Sequence, residues 1–268
     1  MRDDWIIKNE ESHPMMKTSG LQTVLTVILF GIVCLSPALA QSSRRWFLDV
    51  ETGGVFPGYN NVRIPGNSGT LFSLTEDLAT SALLHFRFSL GYQFSPKHTV
   101  YFTIAPLSLN GSGTVNWPID FNGVTFLAGT PLKSLYRFNN YRLTYRYGLR
   151  SSGKLRIGLG LTAFVRDASI GLSGGGLESE KANIGPVPLL NFLVEWRFSP
   201  AWRLAFQGDA AVAPQGRAED VLLALVYQKT ERIAFKAGYR ILEGGADNDE
   251  VYNFALFNYF AVGVILYF

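Results

Sequence analysis

Phe254-Ala255-Leu256-Phe257-Asn258-Tyr259-Phe260-Ala261-Val262-Gly263-Val264-Ile265-Leu266-Tyr267-Phe268 closes the chain, and its reading decides the fold. Side chains of an extended strand alternate between two faces, so Phe260, Val262, Val264, Leu266 and Phe268 share one of them. An apolar strand of this kind at a free sheet edge is a template for pairing with other chains. The hazard disappears if the strand closes a barrel and its greasy face meets hydrocarbon, with every backbone group bonded to a neighbouring strand. The terminal segment therefore predicts a closed β-structure in lipid.

The same period of two recurs upstream. The cleanest case is Leu83 to Phe94, where Leu84, Phe86, Phe88, Leu90, Tyr92 and Phe94 alternate with His85, Arg87, Ser89, Gly91 and Gln93. Comparable segments run from Trp46 to Phe56, Thr99 to Leu109, Phe138 to Leu149, Lys154 to Ala168, Val187 to Phe198, Trp202 to Ala213, Ala218 to Gln228 and Ile233 to Leu242. With the terminal strand this makes about ten, or eight if Trp46 to Phe56 or the less regular Ala218 to Gln228 is not a strand. Tight turns at Ser95-Pro96-Lys97, Ser151-Ser152-Gly153, Ser199-Pro200-Ala201 and Lys229-Thr230-Glu231 are built from turn-forming residues. Longer connections near residues 57–82, 110–136, 169–186 and 243–253 alternate with them, and one short link lies at Pro214-Gln215-Gly216. Trp46, Tyr92, Phe94, Tyr147, Trp196, Phe198, Trp202, Tyr227 and Phe268 gather at the tight-turn ends, as rings at a headgroup level do.

On these features the chain resembles the outer-membrane β-barrel proteins of Gram-negative bacteria. The resemblance implies an all-β, antiparallel, up-and-down transmembrane barrel in the outer membrane, with tight turns and both termini in the periplasm. It also implies contact with outer-membrane lipids and lipopolysaccharide, escort by periplasmic chaperones, and assembly-machinery recognition of the last strand through Phe260, Val262, Val264, Leu266 and Phe268.

Export agrees with that expectation. Residues 21–35 form an uncharged apolar run after Lys17 and before Pro37-Ala38-Leu39-Ala40-Gln41, the layout of a secretory signal cut after Ala40. Residues 1–40 are thus read as N-terminal extension and signal, and residues 41–268 as one barrel domain. The polar, acidic start through Pro14 is unlike a signal, so translation from Met15 or Met16 is an alternative to Met1. Cys34, the only cysteine, lies inside the signal behind a bulky Val33, which argues against a lipoprotein site and leaves the mature chain without thiol chemistry. Removing Arg2, Lys8, Lys17, Asp3, Asp4, Glu10 and Glu11 leaves 21 basic and 17 acidic groups, too mild a balance to indicate nucleic acid.

The alternation assigns an inward face carrying Asp49, Glu51, His85, Arg87, Arg142, Arg146, Arg156, Arg166, Glu195, Arg197, Asp209, Asp220, Lys236 and Arg240. An Arg or Lys facing mid-bilayer lipid would cost roughly 2–4 kcal/mol, so a lumen is where these charges belong. Both signs are present, which suits a filled, ion-paired lumen in a barrel this narrow. A narrow anion-favouring path is the alternative, kept open by small inward residues such as Gly158, Gly160, Gly238, Ala261 and Gly263.

No catalytic, cofactor or metal residue is assigned. Only His85 and His98 remain in the mature chain, so the late-strand histidine pairs of outer-membrane deacylases and omptin-type proteases have no counterpart. The acidic stretch Glu243 to Glu250 reads as solvated, with a calcium site as the alternative. The expected role is an integral surface barrel that is not an enzyme. Loop-mediated binding of lipopolysaccharide or an external ligand, and lipid modification centred on His85, are the competing readings.

Overall fold

The computed structural model describes residues 45–268; the signal and N-terminal extension expected over residues 1–40 lie outside them. Fourteen strands follow in order: β1 (Trp46–Arg63), β2 (Phe72–Ser73), β3 (Leu83–Ser95), β4 (His98–Ala105), β5 (Ser108–Thr114), β6 (Ile119–Phe121), β7 (Val124–Phe126), β8 (Pro131–Ser152), β9 (Leu155–Gly174), β10 (Leu177–Arg197), β11 (Trp202–Ala213), β12 (Gly216–Gln228), β13 (Ile233–Asp247) and β14 (Tyr252–Tyr267). All pairings are antiparallel. β4 and β5 both pair with β8 and act as one stave, so β1, β3, β4/β5 and β8–β14 form ten staves. The terminal strand closes the ring on the first, from Phe47↔Tyr267 to Arg63↔Tyr252, with a bulge between Pro57 and Tyr59. Ten staves, not eight, close the sheet.

At that seam the two backbones come unusually close. Gly53 has φ +145°, and a Cβ there would lie 1.8 Å from the Phe260 carbonyl oxygen, so only glycine fits. The lipid-facing belt is the set expected from alternation: Leu84, Phe86, Leu90, Leu143, Leu159, Leu161, Leu190, Phe206 and Phe260 are all exposed. So much contiguous apolar surface marks a membrane contact. Ring pairs Trp46–Tyr92, Trp196–Phe198 and Trp202–Tyr227, with centroids 4.8, 5.5 and 4.7 Å apart, edge the belt at the tight-turn end.

Several staves run further than the local pattern predicts. β8 has 22 residues, which at ~3.3 Å each and a tilt near 40° reaches roughly 55 Å, about twice the ~25 Å apolar band. The segment 169–186, expected as a long loop, is instead a hairpin of β9 and β10 turning at Gly175-Gly176. The physical reason is a change of phase. On β8, the outward residues in the belt are Tyr141, Leu143 and Tyr145, while beyond it Lys133 and Arg137 point outward and Leu132, Tyr136 and Phe138 point inward. β9 does the same: Leu159 and Leu161 are exposed, whereas Ile170 and Leu172 are buried. Hydrocarbon outside is replaced by water, so the apolar face turns in.

What the inverted face packs against comes from the loops. Ile64, Phe72, Leu74 and Leu78 from the segment after β1, and Val115, Ile119, Phe121 and Phe126 around the β6–β7 hairpin, join Val55, Val62, Leu132, Tyr136, Leu172 and Phe257 in one buried cluster. The hairpin turns at Asn122-Gly123, both with positive φ, in the geometry that matches strand twist. It is tied to the first loop by Thr70 N–H to Asp120 O (2.9 Å) and Asn122 N–H to Ile64 O (2.7 Å). The result is an apolar cap across the outer mouth.

Phe121 is fully buried in this cap. Phe121→Ala is predicted to destabilise the cap by about 3–5 kcal/mol without opening the belt below. Limited proteolysis checks it: cleavage within residues 64–82 should accelerate while the barrel keeps its resistance to detergent unfolding, and unchanged cleavage would contradict the packing.

Candidate functional site: the lumen and the outer rim

Beneath the cap, inward positions of six staves converge. β1 supplies Asp49 and Glu51, β3 His85 and Arg87, β8 Arg142 and Arg146, β11 Asp209, β12 Asp220, and β13 Lys236 and Arg240. Asp220 is the hub: its carboxylate accepts from Arg87 (2.9 Å), Arg142 (2.6 Å) and Arg240 (2.5 Å). Glu51 takes the Arg240 Nε and Nη2 donors in a fork at 2.9 and 3.0 Å and Lys236 Nζ at 2.7 Å. Lys236 also reaches Asp49 at 2.8 Å. Asp209 accepts from Arg142 (2.9 Å), Thr162 (2.6 Å) and Asn191 (2.7 Å), and the Arg142 guanidinium lies 4.9 Å over the Phe164 ring.

His85 belongs to the edge of this network. Its Nδ1 is 3.1 Å from the Gly53 carbonyl, which can only accept, so Nδ1 carries the proton. Nε2 faces Glu51 Oε1 at 3.6 Å, and the ring stands edge-on to Tyr259. Nearer the periplasmic end a second group forms: Arg203 binds Glu195 (3.1 Å), Gln228 (2.7 Å) and the Tyr267 hydroxyl (3.0 Å). Of the fourteen lumen residues read from the sequence, Arg166 and Arg197 are not drawn into either group, and Arg156 stands beside the second one, near Glu195 and Arg203. Arg197 is exposed, and Arg166 bonds Asn183 instead.

The room expected beside the inward glycines is occupied. A Cβ on Gly158 would meet the Arg146 stem at 3.0 Å, one on Gly263 the Lys236 stem at 2.7 Å, and one on Gly91 the Phe47 ring at 2.2 Å. Gly160 and Gly238 instead allow close backbone approach to Tyr145 O and Leu223 O. Gly91, Gly158 and Gly263 thus accommodate large side chains, and Gly160 and Gly238 close backbone contacts.

The outer rim carries a separate cluster on the outward face. Arg217 grips Glu243 through Nε and Nη2 at 2.9 and 2.7 Å, Tyr59 hydrogen-bonds the same carboxylate, and Arg217 lies 4.8 Å over the Phe254 ring. Burial and the Glu243 charge raise the Tyr59 hydroxyl above its ordinary pKa, and hydrogen bonding to Glu243 raises that of Arg217. Alongside, Arg63 lies 5.1 Å over Tyr252, which packs 5.4 Å from Phe254. Within the acidic stretch, Glu250 pairs with Lys181 (3.1 Å) and Asn248 Oδ1 accepts from the Glu250 and Val251 amides. Among the described residues, no three His, Cys, Asp or Glu side chains assemble as a metal-ligand set.

The sequence reading missed the cap. Its signal was present as the phase change along β8, where apolar residues move from even positions (Leu132, Tyr136, Phe138) to odd ones (Tyr141, Leu143, Tyr145). A local search for alternation treats both as the same strand signal and does not register the reversal.

Asp220 is shared by three guanidiniums, so Asp220→Ala leaves them without their common anion. Removing one partner of a buried pair costs about 3–5 kcal/mol. The variant is predicted to unfold in detergent at a markedly lower temperature, read as the shift from folded to unfolded gel mobility; an unaltered transition would contradict the hub role.

No protein-family model matches this sequence, and no curated protein matches it. Solved structures do. The outer membrane protease OmpT from Escherichia coli superposes with a TM-score of 0.52 at 10% identity, over 86% of this chain and 99% of that one. Ail, the attachment invasion locus protein of Yersinia pestis, solved with the heparin analogue sucrose octasulfate, gives 0.41 at 8% identity, over 84% and 99%. Neisserial surface protein A gives 0.33 at 14% identity, over 83% and 97%. At such identities the likeness to OmpT is one of fold alone. The ten-stave closure, the lipid-facing belt and that shared fold make this chain a closed antiparallel β-barrel of the transmembrane kind.

Proposed function

We propose that this protein is a non-conducting surface barrel: a rigid, filled transmembrane body that presents its outer cap and rim to the exterior. The observation that carries the reading is the stacking of two seals. An ion-paired layer centred on Asp220 and Glu51 occupies the lumen, and the apolar cap built around Phe121 lies across the mouth above it. A solute would have to break buried ion pairs and then cross a hydrophobic core. The void between the two seals is only about 20 Å³, room for about one water molecule.

Planar-bilayer recording tests this. The intact barrel should give no steady single channels. A variant lacking residues 66–80 and carrying Asp220→Asn should conduct. Stable channels from the unmodified protein would overturn the reading in favour of a narrow porin-like path.

A second reading has its own support. The row Arg63–Tyr252–Phe254–Arg217 sets guanidiniums over aromatic rings on the outward face beyond the apolar belt. Guanidiniums suit phosphate, and rings suit the apolar face of a sugar, so lipopolysaccharide is the partner this row fits. Arg63→Glu with Arg217→Glu is expected to reduce the lipopolysaccharide retained through purification several-fold, with folding intact; equal retention would remove this reading. For enzymatic work the support is weak, because the His85 proton is committed to a backbone carbonyl and its free nitrogen faces a carboxylate rather than a hydroxyl.

A further inference from the structure

The ionic layer does not balance. Arg87, Arg142, Arg146, Lys236 and Arg240 face four carboxylates, Asp49, Glu51, Asp209 and Asp220, leaving one positive charge over with His85 counted neutral. The surplus has an address. Four of the cations are within 4 Å of a carboxylate, whereas Arg146 is bonded only to neutral acceptors: Asn191 Oδ1 at 2.7 Å, the Tyr101 hydroxyl at 2.8 Å and, weakly, Gln207 Oε1 at 3.4 Å. Arginine cannot shed its proton to escape burial. Arg146 is half-buried and meets no carboxylate, so its charge calls for a counter-ion drawn from solution.

The structure also provides the space. A lumen cavity of about 80 Å³ is bounded by Arg146, Arg87, Lys236 and Arg240 together with the carboxylates of Asp49, Glu51, Asp209 and Asp220, while the fifth cation, Arg142, lies behind the wall. About 10–15 Å³ of such space holds one water molecule, so a small ion and several waters fit together. Donors exceed acceptors here. A guanidinium has five N–H groups; Arg87 uses one on Asp220 and Arg146 three on its neutral partners. The carboxylates that share the wall are already committed to Arg142, Lys236 and Arg240, with Asp49 Oδ1 the wall carboxylate oxygen left for a water to satisfy. Towards the periplasm the lumen is basic as well, with Arg156 and Arg203 beside Glu195, which draws anions inward.

We infer that the lumen cavity beside Arg146 binds a small monovalent anion of chloride size, reached from the periplasmic side and serving as the missing counter-ion of the ionic layer. The site rests on the cavity and the charge count and does not depend on the mouth being closed.

The test measures thermal unfolding of the folded protein in detergent, in sodium chloride or bromide and in sodium gluconate at matched ionic strength. The midpoint should be higher in the halides and saturate with concentration, and crystals grown in bromide should show an anomalous peak within hydrogen-bonding reach of Arg146. Gln207→Glu places a carboxylate on the guanidinium that Gln207 already meets. It is expected to remove both the halide dependence and the peak while the barrel stays folded, a result that general salt effects on the surface would not produce. Equal midpoints in halide and gluconate for the unmodified protein, or full halide dependence retained in Gln207→Glu, would overturn the site. Bilayer recording is unaffected by either result and judges the closed-mouth reading separately.

Discussion

In hydrocarbon no backbone N–H or C=O can turn to water, so each must be bonded within the protein, and a sheet meets that demand only by closing on itself. Most features of this molecule follow from that closure. The first and last strands have to approach at the seam, and Gly53 is what allows the Phe260 carbonyl to come so near. Ten staves then enclose a narrow lumen lined by the charges the lipid face rejects. Those charges have one another as partners, and the Asp220 hub, the Glu51 fork and the stems of Arg146 and Lys236 over Gly158 and Gly263 result from packing them together.

The same closure explains why the barrel has two cores of opposite character. Within the membrane the solvent is oil, so the outside is apolar and the inside ionic. Above it the solvent is water, and on the long staves β8 and β9 the outward residues become polar while Tyr136, Ile170 and Leu172 turn inward. This inward apolar face has to be covered, and the segments after β1 and around β6–β7 cover it with Leu74, Leu78, Phe121 and Phe126. Cap and charge layer are therefore answers to two solvents by a single continuous sheet. The short β11–β12 wall, 12 and 13 residues long, does not share in the upper storey to the same extent.

Much of this was legible from residues alone. Alternation found every stave, and Asp49, Glu51, Arg87, Arg142, Asp209, Asp220, Lys236 and Arg240 of its inward set meet in the Asp220–Glu51 network, which Thr162 and Asn191 join from outside that set. The charge of a side chain and its parity along a strand are local facts. Three things were not local. Which cation meets which carboxylate depends on curvature around the ring, which brings Arg142 and Arg240 from separate staves onto one aspartate. The occupancy of a glycine's space depends on a neighbour's long stem, so Gly158 could be read as a gap when it holds Arg146. The cap depends on residues such as Phe72 and Phe121, which sit in segments without enough strand pattern to stand out and gain meaning only from the inverted face they cover.

The reversal of facing at the membrane surface is the central claim, and β8 tests it most directly. The only cysteine, Cys34, lies outside the described residues, so in a Cys34→Ser background single spin-labelled cysteines can be placed from residue 132 to residue 147 in bilayers and scored for oxygen and for water-soluble nickel. The account predicts oxygen contact at odd positions from 141 to 147, nickel contact at odd positions from 133 to 137, and protection from both at the even positions between 132 and 138. Lipid contact at residues 133–137, or free nickel access at residues 132, 136 and 138, would contradict it.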